Sequence, residues 1–281
     1  MLAIVGGTGL NELPGMQIED RRAETTPFGE PSAPVLRGRL HGRPLLFLAR
    51  HGVGHRLLPH EVNYRANVFA LKRAGATQVL GFSAVGSLVE EIAPGEFALP
   101  TQYVDATRGR REASFFGAGV AAHVSTAEPV SAAMAAWVAA AAAKLSIPLH
   151  RPCVYACVEG PRLGTRAESR LLRQWGCDLV GMTNVPEAFL AREAQMGYAT
   201  VAIVTDYDCW MDEPSRHASV ATILERYGES LAEARRLLQA LLEAPLPAVE
   251  PETRTALATA VLTPDAVLSF AQREWLAVLR S

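Results

Sequence analysis

The sequence predicts an α/β fold with a central mixed, mostly parallel β-sheet flanked by helices. Short apolar runs of strand length alternate along the chain with longer segments of helical periodicity. The clearest run, residues 201–204, is apolar at every position, as is typical of a central parallel strand covered on both faces. No internal repeat or low-complexity tract interrupts this alternation. We therefore expect one sheet with helices packed against it.

The helices are predicted from apolar residues at helical spacing and from residues that favour helix ends. Gly75 follows the first helix, as glycine often does at a helix C-terminus. Pro148 ends the second helix, Thr165 favours the start of the third, and Pro186 suits the first turn of the fourth. The predicted helices span residues 63–74, 128–145, 165–175, 186–194 and 219–243.

The strands are predicted from short apolar runs bounded by glycine or polar residues. A turn at His41 and Gly42 joins two strands within residues 33–50. Residues 108–123 lack periodicity and are predicted to form a loop, and a loop of this length in a compact domain tends to be functional. The other strands are predicted at residues 2–5, 79–84, 95–104, 151–158, 178–182 and 201–204.

The domain organisation follows from a proline-rich stretch near the end of the chain. Residues 245–251 read Pro-Leu-Pro-Ala-Val-Glu-Pro and are predicted to be a linker. A helix-start signal at residues 263–265 precedes an amphipathic run. We predict a main domain at residues 1–244, followed by a linker and C-terminal helical extension at residues 245–281.

Composition excludes several classes of function. The 281 residues carry a formal net charge of −2 without a block of like charges, which argues against a nucleic-acid or membrane-surface partner. No window is apolar enough to cross a bilayer, and the N-terminus lacks a charged leader, so we predict a cytoplasmic location. The four cysteines show no Cys-x2-Cys spacing, so we expect buried thiols and no metal site.

Two carboxylates, Asp206 and Asp208, follow the strand at residues 201–204. Ligands of open α/β sheets bind beyond the carboxyl ends of the strands, so both residues occupy a binding position. In an extended segment, side chains two residues apart point the same way, and we expect the two carboxylates to converge. We interpret the pair as the groups that recognise a purine base.

Other strand ends carry groups suited to an anion. Glycines in the turn at residues 6–9 allow backbone N–H groups to approach an anion, and Thr8 adds a hydroxyl donor, although a plain turn is the alternative. Arg50 and His51 place a cationic pair after another strand. Glu12 stands where a dinucleotide fingerprint requires its third glycine, which disfavours a dinucleotide-dependent dehydrogenase.

Seven motifs occur in the same order as in one known family and cover roughly residues 2–243. On these motifs the sequence resembles the 5'-methylthioadenosine phosphorylases of the trimeric purine nucleoside phosphorylase superfamily. The resemblance implies a single-domain phosphorylase-type fold for residues 1–244. The motifs are Gly-Gly-Thr-Gly-Leu at 6–10, Ala-Arg-His-Gly at 49–52, Val-Asn-Tyr-Arg-Ala-Asn at 62–67, Glu-Gly-Pro-Arg at 159–162, Arg-Ala-Glu at 166–168, Gly-Met-Thr-Asn-Val-Pro-Glu at 181–187 and Thr-Asp-Tyr-Asp-Cys-Trp at 205–210.

The resemblance implies phosphorolysis: inorganic phosphate attacks C1' of 5'-methylthioadenosine and releases adenine and 5-methylthioribose 1-phosphate, a purine-salvage reaction. Phosphate is a co-substrate, and no cofactor or metal is expected. Such a reaction needs a held phosphate, a held sugar and a stabilised leaving base. The implied phosphate ligands are Thr8, Arg50, His51, Ser83, Ala84 and Thr183.

The resemblance also implies the residues around the nucleoside. Met182 packs against the sugar, and Gly164 stands beside the base. Val220, Ile223 and Leu224, which share one helix face, line an apolar 5' pocket. His123 reaches the pocket of a neighbouring subunit, so a homotrimer or a multiple of it is expected.

The two carboxylates receive separate catalytic roles. Like charges in close contact disfavour double ionisation, so one carboxyl can keep a proton. We assign Asp206 as the general acid at purine N7 and Asp208 as the acceptor of the 6-amino group.

Two alternatives remain. A 6-oxopurine enzyme such as S-methyl-5'-thioinosine phosphorylase would meet repulsion between Asp208 and O6, yet Gly164 replaces the serine usual in adenosine-type members of the family. A non-enzymatic nucleoside-binding sensor on the same fold would need no converging phosphate ligands.

Overall fold

The structure is a computed structural model that describes residues 1–7, 10, 12–23, 25–213 and 219–281. The described part contains strands and helices that we number in chain order. The strands are β1 (Leu2–Gly6), β2 (Gln17–Arg22), β3 (Val35–Leu40), β4 (Arg43–Ala49), β5 (Gln78–Ser87), β6 (Phe97–Ala106), β7 (Leu149–Val158), β8 (Leu179–Gly181) and β9 (Gly197–Asp206). The helices are α1 (Tyr64–Arg73), α2 (Ala132–Lys144), α3 (Arg166–Gln174), α4 (Asn184–Glu193), α5 (Val220–Glu243), α6 (Pro251–Arg254) and α7 (Phe270–Arg280).

The described strands form one mixed sheet in the order β2-β3-β4-β1-β5-β8-β7-β6-β9. Strands β4, β1, β5 and β9 run parallel to their neighbours in this group, and β6, β7 and β8 form a second parallel set. Because β9 also pairs with β5, the strands β5, β8, β7, β6 and β9 close on themselves. The predicted mixed α/β fold is confirmed, whereas this closure has no signature in the sequence.

Strand β9 is buried at all ten of its positions. Val201 and Ile203 belong to one apolar cluster, and Ala202 and Val204 belong to another on the opposite face. The prediction that both faces are covered is therefore confirmed. The strand is parallel to β5 on one side but antiparallel to β6 on the other, so it is not a purely parallel strand.

The structure differs from the predicted elements at an unpredicted edge strand, β2, and at the first residue of helix α2. Strand β2 is absent from the prediction because its residues are polar and mostly exposed, and its backbone pairing with β3 holds it extended. Helix α2 begins at Ala132, four residues later than predicted, because the side chain of Ser131 accepts the N–H of Met134 and caps the helix there. In helix α3, Thr165 and Glu168 form a reciprocal capping box.

Residues beyond 244 pack on the main body of the structure. The Glu250 carboxylate accepts the Ser131 hydroxyl at 2.7 Å, and Leu257, Trp275 and Leu279 join a large apolar cluster. Over the residues that the structure describes, no helix is long and apolar enough to cross a membrane.

Candidate active site

A cavity of about 410 Å³ lies at the carboxyl ends of strands β1, β4, β8 and β9, beside the second half of β5. The closed arrangement of strands brings these ends together although they are far apart in sequence. Most of the predicted site residues line this cavity. They are Arg50, His51, Ser83, Ala84, Gly164, Met182, Thr183, Asp206, Asp208, Val220 and Ile223.

Arg50 is fully buried and forms a two-point ion pair with Glu187. Its Nε donates to Oε2 and its Nη2 to Oε1, each at 2.7 Å, and Nη1 donates to the Phe82 carbonyl at 2.9 Å. Burial on its own lowers the pKa of the guanidinium, but the carboxylate outweighs burial and raises that pKa above its ordinary value. Arg50 is therefore a fixed positive charge at one end of the cavity.

Glu187 extends this buried network away from the cavity. Its Oε1 also accepts the Tyr198 hydroxyl at 3.0 Å, and the Thr200 hydroxyl donates to the Tyr198 oxygen at 2.7 Å. The network fixes the direction of the Arg50 guanidinium. Glu187 is not identified as a functional residue from the sequence, where its place in the 181–187 motif is the available signal.

His51 is neutral, which corrects the prediction of a cationic Arg50–His51 pair. Burial first, and the adjacent Arg50 charge second, lower the pKa of His51 to about 4. Nδ1 lies 2.9 Å from the Leu57 carbonyl, which can only accept, so the proton resides on Nδ1. The other nitrogen, Nε2, is then an acceptor, and it can receive a hydrogen bond from a protonated ligand oxygen.

Hydroxyl groups complete this end of the cavity. Ser83 is buried and lines the cavity. Its Oγ has no hydrogen-bond partner among the described residues. A buried hydroxyl without a partner is costly unless a ligand or water satisfies it. Thr183 also lines the cavity, and its backbone N–H donates to the Tyr155 hydroxyl at 3.4 Å. Thr8 lies outside the described residues; the preceding Gly7 lines the cavity.

Asp206 is positioned by a β-bulge at the end of strand β9. Val85 pairs with Val204, but Gly86 pairs with Asp206, so Thr205 is an extra residue in the ladder. The Thr205 hydroxyl lies 2.7 Å from Asp206 Oδ2. Gly86 is required here, because a Cβ at that position would lie 2.9 Å from Asp206 Oδ1.

Asp208 lies in a turn rather than in an extended segment. Its φ angle is +50°, and its N–H donates to Asp206 Oδ1 at 2.7 Å. The premise that both carboxylates project from one strand is therefore wrong, although both residues line the cavity. The turn brings the Asp208 backbone back to Asp206, which the sequence spacing does not reveal.

The electrostatics of Asp206 suit proton transfer. Burial is the main effect and raises the pKa of Asp206 to about 6, and the Asp208 charge acts in the same direction. Hydrogen bonds from the Thr205 hydroxyl and the Asp208 N–H oppose that rise. A carboxyl that holds its proton close to neutral pH can act as a general acid.

Met182 forms a wall of the cavity between its charged ends and is half-buried. Gly160 allows this position, because it has a φ angle of +66° and a Cβ there would lie 2.5 Å from the Met182 sulfur. Arg111 holds the Met182 backbone: its Nη1 donates to the Met182 carbonyl at 2.6 Å and to the Val185 carbonyl at 2.8 Å.

Arg111 is itself fixed by a buried ion pair with Glu159 at 2.9 Å. Its Nη2 also donates to the Glu159 carbonyl at 2.9 Å. Arg111 belongs to the loop at residues 108–123, which the sequence predicts to be functional. The individual residue is not identified from the sequence, because an arginine in a polar loop has no distinguishing pattern.

Helix α5 forms the most solvent-exposed wall of the cavity. Val220 and Ile223 line the cavity, with Val220 63% exposed. Leu224 is 54% exposed and is not among the described residues that line the cavity. Its assignment to a 5' pocket remains a prediction that this single chain does not support.

His123 lies on an exposed part of the long loop and is not among the described residues of the cavity. Its N–H donates to the Ala260 carbonyl at 3.0 Å, which ties it to the C-terminal segment. Its role in a neighbouring subunit remains a prediction. Gly164, in contrast, lines the cavity beside Asp208 and accepts a hydrogen bond from the Cys209 thiol at 3.4 Å.

Comparisons with known proteins agree with the geometry of the site. The model of the phosphorylase superfamily matches residues 1–244. The S-methyl-5'-thioadenosine phosphorylase of Rhodospirillum rubrum is 48% identical over 241 residues, which cover 86% of this chain and 81% of that protein.

Two solved structures extend the similarity to three dimensions. A methylthioadenosine phosphorylase from an Antarctic soil metagenomic library matches with a TM-score of 0.90 and 39% identity, covering 99% of this chain and 98% of the other. The methylthioadenosine phosphorylase of Schistosoma mansoni, solved in complex with adenine, matches with a TM-score of 0.84 and 36% identity, covering 92% and 95%. The resemblance found in the sequence motifs is confirmed. The chain belongs to the phosphorylase superfamily, in the group of the S-methyl-5'-thioadenosine phosphorylases.

Proposed function

We propose that the protein catalyses the phosphorolysis of 5'-methylthioadenosine to adenine and 5-methylthioribose 1-phosphate. The observation that carries this proposal is one cavity with a fixed positive charge, Arg50, at one end and a carboxyl of raised pKa, Asp206, at the other. An anionic nucleophile and a leaving base need those two properties. The activity of the relatives, as their names state it, supports the same substrate.

In the proposed reaction, a phosphate oxygen forms a bond to C1' as the bond from C1' to purine N9 breaks. The electron pair of the broken bond moves into the purine, and Asp206 gives its proton to N7. Proton transfer neutralises the leaving base, which lowers the barrier to its departure. Positive charge that develops on the ribose is balanced by the adjacent phosphate.

Phosphate is proposed to bind between Arg50 and the hydroxyl groups of Ser83 and Thr183, with Thr8 and Ala84 as further ligands. The partnerless Ser83 hydroxyl supports this, because a phosphate oxygen would satisfy it. His51 would accept a hydrogen bond from a protonated phosphate oxygen at Nε2. The reaction needs phosphate as co-substrate and no cofactor or metal.

The base is proposed to be a 6-aminopurine. Asp208 accepts from the 6-amino group, whereas a 6-oxo base would bring its O6 towards a carboxylate. The relative solved with adenine supports this choice over a 6-oxopurine. The sugar is proposed to pack on Met182, and the 5'-methylthio group between Val220 and Ile223.

We further propose that the protein acts in the cytoplasm as a homotrimer or a multiple of it. The exposure of His123 on the long loop is compatible with its insertion into a neighbouring cavity. The exposed start of α5 supports the same idea, since a neighbouring subunit would cover the 5' end of the cavity.

The test is phosphate-dependent release of free base from four nucleosides that combine a 6-amino or 6-oxo base with a 5'-methylthio or 5'-hydroxyl group. Methylthioadenosine should have the highest kcat/KM, and omission of phosphate should abolish release. A tenfold preference for methylthioinosine, on the order of 1.4 kcal/mol, would contradict the assignment of the base.

The Arg50→Ala variant distinguishes the enzyme from a nucleoside-binding sensor. In an enzyme, loss of this charge should strongly lower the rate of phosphorolysis and raise the KM for phosphate, while adenine binding, measured by calorimetry, is retained. Binding of methylthioadenosine without any phosphate-dependent release by the unmodified protein would favour the sensor.

A further inference from the structure

A second cavity of about 420 Å³ adjoins the candidate active site on the side of the base. The two cavities share a boundary formed by side chains and backbone that line both of them. The shared residues are Val158, Pro161, Gly164, Val180 and Asp208. The second cavity is not needed for the reaction proposed above, so its position next to Asp208 requires a separate explanation.

Gly164 leaves this boundary thin. A Cβ built on Gly164 would have only the Asp208 carboxylate oxygens within 4 Å, at 3.8 and 4.0 Å, among the described residues. Any larger side chain at this position would fill the space beside Asp208 that separates the two cavities. The glycine therefore leaves an opening next to the group that we assign to the 6-amino group of the base.

The interior of the second cavity is largely apolar. Leu172 and Val180 contribute to it, and two large apolar side chains, Leu171 and Trp175, line it while 43% and 53% exposed. An exposed leucine and tryptophan on adjacent turns of a helix are available to pack against an apolar group.

Both glutamates that line the second cavity are held in ion pairs with arginines. Arg162 donates to both oxygens of Glu168, at 2.7 and 2.6 Å, and Arg108 also contacts Glu168 at 3.3 Å. Glu159 is held by Arg111. The charged residues that line the cavity are balanced in sign, since Arg108, Arg110 and Arg162 stand against Glu159, Glu168 and Asp208, and this balance does not favour a charged ligand.

We propose that the second cavity is a subsite for an apolar substituent on the 6-amino nitrogen of the base, such as an alkyl or arylmethyl group. This inference rests on the proposed function. The amino group has two hydrogens: one is donated to Asp208, and the substituent that replaces the other passes Gly164 into the cavity. Contact with Leu171 and Trp175 removes its apolar surface from water.

The chemistry of the reaction is unchanged for such a substrate. The bond from C1' to N9 breaks, phosphate forms a bond to C1', and N7 takes the proton of Asp206. The secondary amine keeps one N–H for Asp208, so base recognition is retained. The protein would thus act on N6-substituted nucleosides as well as on the unsubstituted one.

The test compares methylthioadenosine with its N6-benzyl derivative in phosphate-dependent base release. The unmodified protein should cleave both, with kcat/KM values within about tenfold of each other. Leu171→Ala and Trp175→Ala should each lower the ratio of the N6-benzyl to the unsubstituted kcat/KM by about tenfold. Ile18→Ala, which removes an equally exposed aliphatic residue of strand β2 (42% exposed), should leave the ratio unchanged.

A second measurement does not depend on turnover. Calorimetry should give N6-benzyladenine an affinity at least equal to that of adenine, and Trp175→Ala should weaken N6-benzyladenine selectively. Cleavage of methylthioadenosine without cleavage of the N6-benzyl derivative would overturn the subsite and leave the proposed function intact. An unchanged ratio in both variants would also overturn it. Failure to cleave methylthioadenosine itself would reject the proposed function, and the binding comparison would still decide on the cavity.

Discussion

Two buried carboxylates have contrasting environments: Glu187, which lies behind the cavity-lining Arg50, and Asp206, which lines the cavity itself. Glu187 faces the Arg50 guanidinium and accepts two charge-assisted hydrogen bonds of 2.7 Å. Asp206 accepts from a hydroxyl and a backbone N–H and has the charge of Asp208 beside it. The first environment holds an arginine charge in a fixed direction, whereas the second favours a bound proton on Asp206.

The contrast explains how one cavity can serve both a nucleophile and a leaving group. At the Arg50 end, the ion pair fixes a positive charge and its direction. At the Asp206 end, burial outweighs the opposing hydrogen bonds and the charge of Arg226, and leaves a carboxyl that can donate a proton. Substitutions at the two ends should therefore differ in kind: loss of turnover at the Asp206 end, and loss of stability and phosphate affinity at the Arg50 end.

The largest expected effect is that of Asp206→Asn. The amide cannot supply a proton to N7, so kcat for methylthioadenosine should fall by about 10²- to 10⁴-fold while adenine affinity changes much less. The matched control is Asp178→Asn, which alters a carboxylate outside the cavity that accepts the Val154 N–H at 2.7 Å. An unaffected kcat in Asp206→Asn would refute its role as the general acid.

Glu187→Ala should lower both the stability of the fold and the affinity for phosphate. It leaves the Arg50 charge buried without its partner, at a cost of about 3–5 kcal/mol in the free energy of unfolding. Denaturant titration measures that loss, and steady-state kinetics should show a raised KM for phosphate. Glu187→Gln, which keeps the shape and one acceptor, should lose less of both. A loss below about 1 kcal/mol would show that the pair is not what fixes Arg50.

The pH profile of kcat/KM should decline above about pH 6, by roughly tenfold per pH unit, because the active form is the protonated Asp206. The raised pKa also means that the fold binds this proton more tightly than the unfolded chain does. Its contribution to stability is present at pH values below about 4 and is lost as the pH rises through about 6. In Asp206→Asn, the pH profile of kcat/KM should show only the titration of phosphate itself. An identical profile in the variant and the unmodified protein would contradict the assignment of Asp206.

The smallest effect is expected at the α5 wall, which has neither the burial nor the fixed charge of the two ends. Ile223→Ala should lower kcat/KM for methylthioadenosine relative to adenosine by about tenfold, because apolar contact with the methylthio group is lost. Leu224→Ala should have a smaller effect, since Leu224 does not line the described cavity. The reverse order would restore the assignment of Leu224 to the 5' pocket.

Local sequence patterns suffice for much of the framework of this protein. The apolar run of β9, the cap at Thr165 and the positions of Arg50 and Asp206 at strand ends follow from patterns of neighbouring residues. Ser83, predicted near the end of its strand, instead lies in the middle of β5, which continues to Ser87. Periodicity and capping depend on residues within a few positions of one another, so they can be read from the chain. The family motifs add the chemistry of phosphate and purine.

Long-range packing settles what these patterns leave open. The pairing of β9 with β5 closes the strands, and the bulge at Thr205 with the turn at Asp208 sets how the two carboxylates meet. The partners of the charges are equally remote in sequence: Glu187 is 137 positions from Arg50, and the neutral state of His51 comes from burial beside that arginine. Such environments arise from contacts between distant segments, and no local pattern of residues encodes them.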